Sequence, residues 1–202
     1  ANFDYTNSQD RSYDETHTEI ADRYRPFLYT EQIYALYASY GNKFGWFGFQ
    51  LGVRGEETIT QANDVKRSYF QAFPSAYLSF ELPKQNEIQV NYTRRINRPR
   101  GRRIDNYIDR SDPTNISYGN PWLMPEFSNN VEVNYLKTWN EHTLSAGLYY
   151  SYTENVIQRV SKLNSNGVME NTFENINYSH NAGIELIAKN RLFKNYLDLT
   201  TS

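Results

Sequence analysis

Between residues 44 and 56 the chain alternates almost without fault. Phe47, Phe49, Leu51 and Val53 stand on one parity, and Trp46, Gly48, Gln50, Gly52, Arg54 and Glu56 on the other. Successive side chains of a strand point to opposite faces, so this stretch is a ribbon with one apolar and one polar side. The pattern returns at least five more times, and its last copy starts at Tyr196. Any fold for this chain must give those two faces two different surroundings.

Composition agrees with strands. Aromatics are 16% of the 202 residues and Tyr alone supplies 18, an excess that suits sheets and wet–apolar boundaries better than helical bundles. The net charge of −2 points to neither nucleic acid nor anionic surfaces. With no Cys in the chain, disulfide scaffolds, thiolate metal sites and Cys nucleophiles are excluded. No apolar run approaches the roughly 18 residues of a spanning helix. A mean hydropathy of −0.79 does not decide the membrane question, because strands that span by alternation carry little hydropathy signal. No targeting peptide is visible after Ala1.

The alternation predicts about eight strands in an antiparallel up-and-down meander. Residues 1–26 read as mainly loop, and their acids (Asp4, Asp10, Asp14, Glu15, Glu19 and Asp22) match no calcium-loop spacing. Strands are predicted over residues 31–40 and 44–56, with a turn at Gly41-Asn42-Lys43. A polar link over 57–66 leads to a strand over 69–82, and a turn at 83–86 to one centred on Ile88, Val90 and Tyr92. Residues 97–126 lack periodicity and form the longest loop. Further strands carry Val131, Val133 and Tyr135, then Leu144 through Tyr152 and on toward Val160, then Ile176 through Leu186, with Asn164-Ser165-Asn166-Gly167 as a turn. The last begins after a link over 189–195.

Short and long connections alternate, as in a transmembrane barrel with short periplasmic turns and long extracellular loops. Segments of ten or more residues favour a tilted spanning strand. A soluble, secreted β-sandwich that binds glycans with its Tyr and Trp surface explains the same alternation, so both readings stand on periodicity alone.

Particular residues carry a resemblance. Thr93-Arg94-Arg95-Ile96-Asn97-Arg98-Pro99, the run from Ser111 through Gly119-Asn120-Pro121-Trp122-Leu123-Met124-Pro125-Glu126, and Val131-Glu132-Val133-Asn134-Tyr135 resemble TonB-dependent outer-membrane receptors, within their outer-membrane-protein β-barrel branch. Leu51 to Thr58 is similar to a strand end of that family, and Phe73-Pro74-Ser75 to a strand start. The resemblance implies that residues 1–202 are a partial barrel domain, from the C-terminal part of a barrel of about 22 strands. It also implies the outer membrane of a Gram-negative bacterium, lipid as a partner, and uptake of a nutrient such as a glycan or siderophore. The TonB system would be engaged through other parts of the parent chain. It implies no cofactor. As an isolated fragment such a sheet has open edges that invite homo-oligomers.

The long loop holds the candidate ligand contacts. Arg98, Arg102 and Arg103 belong to a basic cluster with Arg94, Arg95, Arg100 and Arg110, which can pair with loop acids, meet lipid phosphates or steer an anionic solute. It lacks the aromatic interleaving of a nucleic-acid reader. Tyr118 and Trp122 offer stacking surfaces, against the plainer reading that they pack within the loop; Trp46 and Tyr149 face the lumen by parity. His17, His142 and His180 lie in separate elements without a Ser or Asp partner at motif spacing, so no catalytic site and no metal site is expected. His180 lies on the apolar parity, as an interfacial aromatic would.

Overall fold

The computed structural model describes residues 2–7, 27–62, 65–192 and 197–201. Their strands are β1 (Asn2–Asn7), β2 (Phe27–Phe44), β3 (Phe47–Ala62), β4 (Val65–Leu82), β5 (Asn86–Asn97), β6 (Asn115–Ser117), β7 (Glu126–Trp139), β8 (His142–Leu163), β9 (Met169–Leu192) and β10 (Leu197–Thr201). They form one sheet in the order β1-β2-β3-β4-β5-β7-β8-β9-β10, with every neighbour antiparallel and sequential. Only β6 departs from the meander, pairing parallel to β9. The sheet is open: among the described residues β1 pairs only with β2, and β10 only with β9.

Register turns the alternation into two continuous faces. Leu51 pairs with Tyr40 and Ala76, Ala76 with Tyr92, Tyr92 with Val131, Val131 with Tyr150, and Tyr150 with Ala182. The next row toward the short turns joins Phe49, Leu78, Val90, Val133, Leu148 and Ile184. Opposite them, Gln50, Tyr77, Asn91, Glu132, Tyr149 and Gly183 make one row of the polar face.

The apolar face is not a core. Leu51 is 49% exposed, Leu148 54% and Ile184 73%. All the strands join one sheet, so the sandwich reading lacks the second layer it needs among the described residues. Exposure of this extent across many strands matches a surface built for hydrocarbon. On β4 the exposed Phe70 and the aromatic cluster at Phe80 lie ten residues apart. At about 3.3 Å per residue and a tilt near 40°, that separation rises about 25 Å, the height of an outer-membrane apolar band.

Several boundaries differ from the sequence reading. β2 continues through Gly41-Asn42-Lys43, and the turn lies at Gly45-Trp46, where Gly45 takes φ +58°. Glycine accepts that left-handed geometry without a Cβ clash, so the chain reverses there. Trp46 therefore stands in the turn, with its ring 6.2 Å from Phe47 and 6.0 Å from Phe80, and does not face the lumen. Tyr149 does lie on the polar face, its ring against Gly183.

The expected polar link over 57–66 is mostly strand, because β3 runs to Ala62 and β4 begins at Val65. Its polar-face residues Thr58 and Ala62 are buried, so polarity there reflects a folded loop above the strand and not a coil. β8 and β9 likewise extend outward as a hairpin closed by the Asn164 turn. The expected rim of long loops is thus built largely from lengthened strands. Asn2–Asn7 forms β1 within the stretch read as mainly loop, and the acids from Asp10 to Asp22 lie outside the described residues.

The two faces carry opposite expectations for charge. Leu148→Arg is expected to lower folding stability in bilayers by about 2–4 kcal/mol, whereas Asn91→Lys on the polar face should change it by less than about 1 kcal/mol. Urea titration of the protein folded in lipid vesicles measures both. Equal costs would remove the assignment of faces.

Candidate functional site

The segment between β5 and β7, residues 98–125, does not stand away from the sheet. It lies across the polar face near the end of the strands remote from the short turns. Ile104 and Leu123 from this segment pack with Phe27, Tyr29 and Ala62, and Ile157 and Phe173 complete the cluster from β8 and β9. Phe27, Tyr29, Ala62, Ile157 and Phe173 all belong to polar-face parities. The loop therefore makes a buried apolar cluster, among the described residues, on the face that is otherwise wet.

Two buried carboxylates fix its near end. Glu31 and Thr58 are 0% exposed and Glu56 is 4% exposed. The Arg98 guanidinium reaches both acids, with Nη2 2.6 Å from Glu56 Oε2 and Nε 3.5 Å from Glu31 Oε1. Nη2 also donates to Thr58 Oγ1 at 3.1 Å, and Nε to the Tyr69 hydroxyl at 3.3 Å. Arg100 pairs with Glu31 at 3.2 Å and Arg54 with Glu56 at 2.6 Å, so each acid meets two cations. Burial by itself would lower the pKa of Arg98, but hydrogen bonds to Glu56 and Tyr69 outweigh it and raise it. The Arg98 charge is permanent here, and its fork satisfies several acceptors at once.

Arg67 on β4 holds the far side of this contact. It donates to the carbonyls of Trp122 and Leu123 at 3.0 and 3.1 Å, and its guanidinium lies 5.3 Å from the centre of the Trp122 ring. From the β8–β9 side, Asn120 Nδ2 donates to Phe173 O, while the Asn175 side chain accepts from Met124 N and donates to Met124 O. Asn171 Nδ2 donates to Asn115 Oδ1 at 2.6 Å and to Ile116 O at 3.1 Å, beside the β6–β9 ladder. Glu126 receives Asn97 Nδ2 and Ile157 N, both at 2.6 Å. The loop is thus tied to β2–β4 on one side and to β8–β9 on the other.

Gly119 marks a close approach inside the loop. A Cβ there would lie 2.4 Å from Arg102 O and 2.5 Å from Asp105 O, while Gly119 N donates to that same Asp105 carbonyl. No side chain fits.

The sequence candidates separate into two groups. Arg98 is 10% exposed and spent on the internal ion network. Tyr118 is half-buried and donates to Glu170 at 3.2 Å; burial, then this bond, raises its pKa. Arg102 and Arg103 sit exposed on the 3-10 turn Gly101–Arg103, and Trp122 is 64% exposed. Sequence reasoning missed Glu31, Glu56, Arg67, Asn171 and Asn175. Their one sequence signal is charge or amide on the polar parity of a strand, which many residues share. A cavity of about 40 Å³ beneath the loop, lined by Tyr29, Glu31, Arg67, Arg98 and Leu123 among others, holds a few waters at most. That is far below the roughly 300 Å³ of a small-molecule site.

The model of the outer membrane protein beta-barrel family matches residues 1–200. No curated protein matches the sequence. Among solved structures, the hemophore receptor HasR of Serratia marcescens is similar with a TM-score of 0.67 at 14% identity, over 81% of this chain and 32% of HasR. The copper transporter OprC gives 0.67 at 11% identity, over 90% of this chain and 30% of OprC. The FrpB iron transporter of Neisseria meningitidis gives 0.58 at 13% identity, over 84% and 24%. At these identities the likeness is one of fold. The chain spans about a third or less of each of these proteins.

Removing Arg98 leaves two buried carboxylates with one cation each. Arg98→Ala is expected to cost about 3–5 kcal/mol locally and to open residues 98–125 to protease while the strands stay paired. Gly119→Ala should give the same opening without touching charge. Limited proteolysis with mass mapping tests both, and an unchanged digest would show that the loop needs neither group. Hydrogen bonds from the Ser111 and Thr114 side chains hold Asp109 and Asp112 below the usual carboxylate pKa. That support is complete above the unfolded value of about 4 and is lost as pH falls through the lowered folded values. Cleavage near 109–114 should therefore stay flat from pH 5 to 8 and rise only in stronger acid.

Proposed function

Since the chain belongs to the outer membrane protein beta-barrel family and so lies in the outer membrane of a Gram-negative bacterium, we propose that it is the C-terminal part of the barrel of a TonB-dependent receptor that takes up a scarce nutrient. The observation that carries this reading is one sheet with a charge-poor apolar face and a polar face on which an inward-folded loop is anchored from two sides. The apolar face meets acyl chains and the polar face lines the lumen. The short turns lie in the periplasm, and residues 97–126 stand at the extracellular mouth.

The nutrient is a glycan, siderophore or similar solute. HasR in its solved complex holds a hemophore and heme, OprC is a copper transporter and FrpB an iron transporter, which supports small-solute uptake as the class. Within the mouth, Arg102, Arg103 and Trp122 are the solute contacts, because they are the exposed candidates on a fixed support. Arg98 and Tyr118 hold that support in place. The chain works by binding and conduction, not catalysis; TonB acts through segments of the parent chain elsewhere.

Two measurements test this. This chain has no Cys, so Asn166→Cys in the β8–β9 turn adds one thiol to it; in an otherwise Cys-free parent receptor, a membrane-impermeant maleimide should label it on intact cells. Labelling only after cell rupture would reverse the orientation. In a host whose uptake depends on the parent receptor, growth on limiting ferric siderophore, heme or oligosaccharide identifies the solute. Trp122→Ala is then expected to lower uptake about tenfold, with surface abundance unchanged. Undiminished uptake in both Trp122→Ala and the Arg102→Ala, Arg103→Ala double variant would move the solute contacts elsewhere.

A further inference from the structure

On the apolar face, Arg94 closes the oily rows at the end remote from the short turns, as Lys137 closes them at the short-turn end. On β5, β7, β8 and β9 three consecutive rows hold no charge: those of Ile88, Val90 and Tyr92. The fourth row joins Arg94, Asn129, Tyr152 and His180 through direct register pairs. All four project on the lipid side, at the end of the band remote from the short turns.

These groups are held with donors to spare. The Arg94 guanidinium lies 5.2 Å from the centre of the Phe127 ring and gives Nη1 to Ala72 O at 3.2 Å, so its stem and position are fixed and its other nitrogens remain for a ligand. Tyr92 donates to Asn129 Oδ1 at 2.9 Å, which orients the Asn129 amide nitrogen away from that bond. Tyr150 OH lies 2.6 Å from His180 Nδ1, and in the tautomer where Tyr150 donates, Nε2 carries the proton. The rings of Tyr152 and His180 are 5.0 Å apart and tilted, forming a shallow aromatic shelf.

We infer that the row Arg94–Asn129–Tyr152–His180 is a binding site for the headgroup of a phosphorylated glycolipid in the outer leaflet. An Arg on a hydrocarbon-facing surface is costly unless its head reaches the polar boundary and meets an anion. Four neighbouring strands span about 14 Å, which fits a sugar headgroup bearing phosphate and exceeds a free phosphate ion. Arg94 takes the phosphate by charge-assisted hydrogen bonds, Asn129 donates to an adjacent oxygen, and the Tyr152–His180 shelf stacks against the sugar. Glu154, one row further out, faces the hydroxyl side of the headgroup. The occupant follows from continuity: this row borders the surface that meets acyl chains, and the tails of the same lipid cover the uncharged rows below.

The inference rests on the outer-membrane reading, but its test does not depend on which rim faces out. Binding of diphosphoryl lipid A to the full-length receptor in detergent micelles is measured by native mass spectrometry, against lipid A stripped of phosphate and against inorganic phosphate. Wild type should prefer the diphosphoryl form, Arg94→Gln should weaken it about tenfold with little change for the stripped form, and Arg94→Lys should lie between. Arg159→Gln, a charge removed from the opposite face, should leave binding unchanged. If Arg94→Gln does not fold, as judged by gel mobility before and after heating, Asn129→Ala carries the test with a severalfold loss expected. Equal binding of stripped and diphosphoryl lipid, displacement by millimolar inorganic phosphate, or equal losses in Arg94→Gln and Arg159→Gln would each overturn the site.

Discussion

The structure depends on a solvent constraint: hydrocarbon offers backbone amides no hydrogen bonds, so strands that enter it must satisfy one another laterally. The ladders from β2 through β9 do this without interruption by a second layer. Where the ladders commit the backbone groups within the sheet, side chains alone distinguish one face from the other. The two-residue period then gives one face to lipid and the other to the lumen.

A second constraint acts where the strands pass the apolar band. Glu31 and Glu56 are fully or almost fully buried on the polar face, and a buried carboxylate without a partner is strongly unfavourable. Arg98 answers both acids at once, and Arg100 and Arg54 complete the charge balance. The consequence is positional. Because Arg98 begins the long loop, satisfying the acids draws the whole loop over the lumen, and Arg67, Asn171 and Asn175 then fix its remaining length. The loop's exposed residues are presented on a rigid base and not on a free tether, which suits solute contact at low entropic cost.

Arginine therefore serves three separate purposes within a short stretch of chain. Arg94 faces lipid, Arg98 neutralises buried acids, and Arg102 and Arg103 face solvent. Composition treats these as one basic cluster. Strand parity separates the first from the others, and burial separates the second from the third.

The strands and their two faces were legible in the sequence because alternation is a local property that survives any arrangement of the sheet. Leu51, Val133, Leu148 and Ile184 declared their common face through parity alone, and the turns at residues 83–86 and 164–167 through Pro, Asn and Gly. The turn at Gly45 was misplaced by a few residues, since Gly41 and Gly45 offer the same backbone freedom and only cross-strand pairing chooses between them. The contacts of the loop were not legible: Arg98 meets Glu31 and Glu56, and Arg67 meets Trp122, across more than forty residues of chain. Charge and aromatic residues reveal their chemistry in the sequence, but which of them are buried, paired or left open is decided only when the sheet curves and the loop folds back across it.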